Sequence, residues 1–388
     1  MPTLPWALLA AACLGMFAAS SSGTTRAPFL IEMARDLSTS LPMVANLMAA
    51  TSISWGVSSV FAGAASDRWG RRPFLIGGPL GLAACLVCLS LAQSYLGVAF
   101  WATAAGAFAG GFTGVIMTEA SARTADRQRG RALGWVMAGQ SLALLVGVPL
   151  AAWIGSSIGW RGVNQVVASV AVLAAIGLFV TTLRPPAGSA SGARPARTSM
   201  RSAMTGPVLR LLSMGVAERV CYGLTVVYFA TFLQATYGLT PAGVAIPLGL
   251  VALGNILGTI LGGQAADRLA DRSRTFAVAM VGSGFAAMAL FSWTPGLAGT
   301  VALGFAYATF SAMSRPSLMA ALANVPDEVR GTVLGLNVTA ASLGWLGAAT
   351  LGGWIMAEIG FIGFGPFAMV VALVGAVLAL TGRNHRAG

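Results

Sequence analysis

A chain of 388 residues that is 56% hydrophobic before its 50 glycines are counted, and only 9% charged, does not make a water-facing surface, which runs at about a quarter charged residues. Its 23 basic residues are all arginine and outnumber 11 acidic ones for a formal net charge of +12, which excludes Schiff-base, pyridoxal and P-loop chemistry built on lysine. The single histidine, His385, stands at the extreme C-terminal end, so histidine-based metal, haem or general-base chemistry falls away, and no metal or cofactor is expected.

A bilayer core takes about 20 mostly apolar residues per helix. Runs of that length fall at 5–25, 43–62, 74–93, 97–119, 132–154, 163–183, 208–234, 242–263, 275–293, 297–320, 332–355 and 362–381. They predict twelve membrane helices. The first run resembles a secretory leader but lacks a basic start and is followed by eleven more, so it reads as the first span. Cys13, Cys85, Cys88 and Cys221 all lie inside such runs; the CxxC of Cys85 and Cys88 reads as small core residues.

The connections account for the charge. With the N-terminus inside, all arginines but Arg26, Arg35, Arg161 and Arg219 fall on one side of the membrane or at its edge. Basic loops stay cytoplasmic. Both termini are therefore expected in the cytoplasm of a bacterial-type inner membrane, and nucleic acid is not an expected partner. The longest break, RPPAGSASGARPARTSMRSAMTG, has no acidic residue and reads as a flexible basic linker over 184–206. It separates an N-terminal six-helix bundle, 1–183, from a C-terminal one, 207–388.

The two halves repeat. Gly63, Asp67 and Arg68 in GAASDRWGRRP recur as Gly263, Asp267 and Arg268, an offset of 200. Asp126, Arg129, Gly130, Leu133 and Gly134 recur as Asp327, Arg330, Gly331, Leu334 and Gly335, as do Trp153, Ile154 and Gly159 as Trp354, Ile355 and Gly360, at 201. An offset of six spans gives both copies the same orientation. Parallel repeats of this kind place a substrate path between them and reach it from either side in turn.

The loop GAASDRWGRRP after the second span resembles the signature of the major facilitator superfamily, a glycine followed by Asp-Arg and Gly-Arg-Arg. More narrowly, RGRAL from Arg129, GVPL from Gly147 and GWRG from Gly159 look like the drug and sugar efflux branch of proton antiporters. That resemblance implies an all-α integral membrane fold of two six-helix bundles, a monomer that exports a small molecule and is driven by the proton gradient. It further implies a charge latch of Asp67, Arg68, Arg71 and Glu119, with Gly63 and Gly70 shaping the loop, and a helix-five motif at Gly147 and Pro149. Two features depart from the efflux pattern: FWATAAGAFAGG in the fourth span has no arginine, and Val148 separates Gly147 from Pro149.

Charges inside spans are expensive and mark function. Glu218 and Arg219 lie midway along the seventh run, Arg315 in the inner half of the tenth and Arg26 in the outer part of the first. As neighbours about 100° apart on a helix, Glu218 and Arg219 are not expected to pair with each other. Two readings stand: Glu218 exchanges a proton while Arg26, Arg219 or Arg315 meets substrate, or Glu218 and Arg315 form a structural pair. Arg26 is expected at the outer rim, paired with Glu32 or Asp36. Tyr222, one turn from Glu218, Gln140, Asn255 and Tyr307 complete the candidate lining. With no acid on the first span and an excess of arginine, the expected substrate is anionic or neutral and polar, not a permanent cation. Import by symport, or a non-transporting sensor or assembly factor, uses the same parts.

Overall fold

The computed structural model describes residues 4–125, 128–183, 204–269, 271–325 and 327–381; the side chains of Ala64, Asp67 and several residues between 323 and 335 also lie outside that description. Among the described residues there is no strand. Lipid offers no partner to a free backbone N–H or C=O, so a spanning chain without a closed barrel must be helical. The helices are α1 (Trp6–Thr24), α2 (Leu30–Asp36), α3 (Leu41–Trp69), α4 (Arg72–Leu91), α5 (Tyr95–Ala122), α6 (Arg129–Leu142), α7 (Val148–Thr181), α8 (Gly206–Tyr237), α9 (Ala245–Arg268), α10 (Arg272–Ser292), α11 (Leu297–Ala323), α12 (Asp327–Glu358) and α13 (Phe364–Thr381).

Among the described residues, eleven helical stretches are long and apolar enough to cross a membrane, and one of them, Arg129–Thr181, has 53 residues. At 1.5 Å per residue that is about 80 Å, enough for two crossings. Gly159 divides it, with φ 68° and ψ 173° inside α7. The twelve expected spans are thus all present, the fifth and sixth joined through one glycine. Gly360, its partner in the repeat, takes the same backbone form at φ 83° and ψ −172°. Positive φ with extended ψ is open to glycine and strained for other residues.

The first span runs further than its apolar stretch, from α1 through a short 3-10 turn at Ala27–Phe29 to the end of α2. The polar string after Ala19 lies within the expected run of 5–25. It continues as helix because Ser22, Thr24 and Thr25 return their hydroxyls to the carbonyls of Ala19, Ser20 and Ser21, which satisfies them without water.

The chain divides into two compact units, Met1–Ala193 with Thr240–Ala245 and Arg194–Leu239 with Ile246–Gly388. The expected linker, 184–206, lies outside the described residues except for its last three. In the first unit α1 packs on α5, α6 and α7, while α4 packs on α5 and α7. In the second, α8 packs on α11, α12 and α13, and α10 packs on α11 and α13. Packing order therefore repeats with the sequence.

One interface is built oppositely in the two copies. Gly106, Gly110 and Gly114 on α5 press against Thr51, Trp55 and Ser59 of α3, and a Cβ at Gly106 or Gly110 would strike a backbone carbonyl there. In the second unit the glycines stand on the other partner: Gly254, Gly258 and Gly262 of α9 meet the carbonyls of Phe305, Thr309 and Met313 on α11. Without a hydrophobic drive between helices in lipid, close backbone approach supplies the attraction. The cores differ as well. Phe112 fills a notch left by Gly15 and Gly78 in the first unit, whereas Phe232, Phe291, Phe361 and Phe364 form an aromatic cluster in the second.

Candidate functional site

α8 is buried on nearly every side, including Glu218 and the run from Val220 to Thr225. A carboxylate there needs partners, because an isolated charge in a low-dielectric interior is prohibitive. Arg315 of α11 supplies one, donating Nε and Nη2 to Glu218 Oε1 at 3.2 and 2.9 Å. Arg219 supplies the other, its Nε 3.4 Å from Oε2. The expectation that neighbours on one helix would not pair is corrected: the two oxygens face different ways, and the long arginine stem bends back to the second. Gly344 on α12 makes room for that stem, since a Cβ there would collide with Arg219 Cβ.

Tyr222 sits one turn further along α8. The Arg315 guanidinium lies 4.8 Å from its ring centroid and that of Arg219 5.8 Å, within range of cation–π attraction. Trp345 meets the same ring edge-on at 5.7 Å. Glu218 is 2% exposed at its side chain, while Arg219 and Arg315 are 22% and 21% exposed. The cluster is therefore a buried carboxylate with two guanidiniums over it, one positive charge in excess, and an aromatic wall.

Arg26 departs from its expected place. It is 2% exposed and makes no ion pair with Glu32 or Asp36. Its Nη1 donates to Thr51 Oγ1 at 3.1 Å on α3, and Thr51 itself donates to the Leu47 carbonyl at 2.7 Å. Nε and Nη2 of Arg26 are buried with no partner among the described residues. Asp36 is engaged elsewhere, accepting from Trp160 Nε1 at 2.9 Å and Arg161 Nη1 at 2.6 Å. The rim reading fails because the first span extends to Asp36, which leaves Arg26 about fifteen ångströms short of its outer end.

The remaining candidates separate. Tyr307 is fully buried and gives its hydroxyl to the Cys221 carbonyl, a tie between α11 and α8. Asn255 is half-buried with its amide nitrogen unpartnered. Gln140 is half-buried on α6. Asn255, in the same unit as Glu218, takes no part in the hydrogen bonds and ion pairs described for that cluster. Gly147 ends a π-helical turn, Ala143–Gly147, just before Pro149, whose missing N–H removes a helix bond. The helix-five motif takes the form of this wider turn, where a Cβ at Gly147 would crowd Phe17 and Ser21 of α1.

Around the signature loop the ion pairs centre on Glu119. Glu119 is buried and takes Arg71 Nη1 at 3.3 Å and Arg123 Nε at 2.6 Å; Arg123 also reaches the Thr181 carbonyl at 3.4 Å. Arg123 was missed as a partner, although Glu119 four residues before it is a helix-pair spacing. Arg68 is exposed and outside the latch, and the side chain of Asp67 lies outside the described residues. Gly70 caps α3 at φ 82°. Gly63 has nothing within 4 Å of an added Cβ, so close helix approach does not explain it. In the second copy Asp267 and Arg268 are exposed, and the loop holds instead a local pair of Asp271 and Arg274 at 3.2 Å.

The comparisons with known proteins cover nearly the whole chain. The family model described as Major Facilitator Superfamily matches residues 12–240 and 211–387. A chloramphenicol resistance protein of Streptomyces lividans is 26% identical, over 95% of this chain and 97% of that one. The inner membrane transport protein YdhP of Escherichia coli K12 is 27% identical, over 96% and 94%. A solved bacterial homologue of the human lysosomal transporter Spinster, in an inward-facing, unoccupied conformation, superposes with a TM-score of 0.70 over 98% of this chain and 95% of its own, at 17% identity; that likeness is one of fold.

Proposed function

We propose export of a small organic molecule in exchange for protons, from a settled premise: this chain belongs to the Major Facilitator Superfamily. It is a multi-pass membrane protein of a transporter family, and the names of its relatives include a resistance protein and an inner membrane transport protein. The observation that carries the finer reading is Glu218, a buried carboxylate in the middle of α8 whose arginine partners remain partly exposed. A carboxylate in a span that can trade an arginine for a proton is the part a proton-driven cycle needs. A dry structural pair, as in a sensor or assembly factor, has no use for guanidiniums left one-fifth exposed.

Purified protein in proteoliposomes with an imposed pH gradient, tested against a panel of small metabolites and drugs including chloramphenicol, tests the reading. Gradient-driven movement of at least one compound is expected. Glu218→Gln should abolish the response to the gradient while leaving exchange of the same compound across the membrane. A variant that responds to the gradient as well as the wild type removes Glu218 from the coupling step.

A second reading, inward symport of an organic anion, is favoured by one fact: two guanidiniums share one carboxylate, leaving a positive charge for an anion and a proton to balance together. Movement of the panel compound down the proton gradient, with it and not against it, selects this reading.

A further inference from the structure

Arg315 and Arg26 present the same edge of the guanidinium in different company. In Arg315, Nε and Nη2 both donate to one oxygen, Oε1, of the Glu218 carboxylate, so this edge of a guanidinium already holds a carboxylate in the second unit. In Arg26 that same pair, Nε and Nη2, is buried and empty of partners, while Nη1 is held by Thr51. The Thr51 hydroxyl hydrogen is already committed to a carbonyl, so its lone pair is fixed toward Arg26 and the free edge has a set direction.

Among the described residues of the same unit, no acidic side chain fills the edge. The described acidic side chains of that unit are engaged or placed elsewhere: Asp36 with Trp160 and Arg161, Glu119 with Arg71 and Arg123, and Glu32 with its Oε1 beside Gly159. The backbone breaks at the same place. α1 ends at Thr24, and a 3-10 turn over Ala27–Phe29 follows Arg26 before α2 resumes. A discontinuous span beside an unmatched charge is the arrangement by which membrane transporters hold ions and charged groups.

We propose that the Nε–Nη2 edge of Arg26 is a subsite for a carboxylate group, and that the molecule this protein carries is a small organic acid bound through it. The transport half of this statement rests on the function proposed above; the binding half does not. Carboxylate, not halide, is the class assigned, because two adjacent donors in one plane match two oxygens in one plane.

The test uses the full chain purified in detergent, with benzoate as the probe and calorimetric titration as the readout. Benzamide, the same shape without charge, trimethylphenylammonium and chloride are the comparison arms. Benzoate is expected to bind at least tenfold more tightly than benzamide, and the cation not at all. Arg26→Gln should weaken benzoate at least tenfold while melting, unliganded, at or above the wild-type temperature, since it removes a buried charge with no counter-charge. Arg26→Lys keeps the charge without the fork and is expected to lose several-fold. It remains informative if Arg26→Gln does not fold.

Equal affinity for benzoate and benzamide overturns the proposal. So does benzoate binding unchanged in the folded Arg26 variants, and so does chloride binding as tightly as benzoate with the same dependence on Arg26. Benzoate binding that depends on Arg26 without any gradient-driven transport would keep the subsite and remove the export reading. Gradient-driven transport with no carboxylate binding would do the reverse.

Discussion

Arg315 closes Nε and Nη2 onto one oxygen of Glu218 at 3.2 and 2.9 Å, and Arg219 approaches the other at 3.4 Å. The carboxylate is buried and its partners are not wholly so, which makes the two sides of the pair unequal. Removing one member of a buried pair strands the other, at about 3–5 kcal/mol.

That inequality gives a double-mutant prediction. Glu218→Ala and Arg315→Ala should each lower the melting temperature in detergent, Glu218→Ala the less, because the guanidiniums it leaves are less deeply buried than the carboxylate. The double variant should be destabilised by less than the sum of the two. Additive losses would mean that the pair contributes no coupling energy.

Helix approach makes a sharper contrast among the glycines. Gly258→Ala and Gly110→Ala each place a methyl against a backbone carbonyl of the facing helix, Thr309 or Trp55, where nothing can rotate away. Each is expected to cost about 1–3 kcal/mol and to reduce the yield of folded protein. Gly63→Ala and Gly263→Ala meet open space and should be neutral or stabilising by about 1 kcal/mol through helix propensity. Thermal unfolding of the four variants in one detergent decides it.

Backbone form sets the next pair apart. Gly159→Ala and Gly360→Ala force a side chain onto positive φ with extended ψ, a strain of about 1–3 kcal/mol. Neither is crowded, with nothing closer than the 3.5 Å between an added Cβ at Gly159 and Glu32 Oε1. Both should therefore lower stability by similar amounts despite different neighbours. A loss at only one would show that packing, not backbone strain, governs that site.

Around the signature loop, Arg123→Gln should impair transport turnover and stability more than Arg68→Gln. Arg123 bridges Glu119 and the end of α7, whereas Arg68 is exposed and its loss should stay within about 0.5 kcal/mol. Initial transport rates together with melting temperatures for the two variants provide the comparison, and equal effects would remove Arg123 from the latch.

Much of the candidate site is visible in the sequence as cost. Glu218, Arg219 and Arg315 stand out because a charge among apolar residues needs a reason, and Tyr222 follows from its place one turn on. Which groups meet was not visible. The Arg219 contact with Glu218 depends on side-chain reach that a 100° helical offset does not describe, and the part of Arg123 in the latch is hidden by its likeness to the topology arginines around it.

By itself the sequence determines the class of fold, the number of spans and the internal repeat, because the bilayer imposes length and polarity rules that a linear pattern carries in full. Tertiary structure alone decides the depth of Arg26. Serine and threonine hydroxyls that fold back onto their own helix let the first span run on past a polar string, and this moves the charge from an expected rim to a buried position beside Thr51. It also decides what the glycines at four-residue spacing on α5 and α9 meet, the backbone of α3 in one unit and of α11 in the other. Two backbones can approach equally well from either side, so the physics fixes the distance between the helices and leaves the choice of facing helix open.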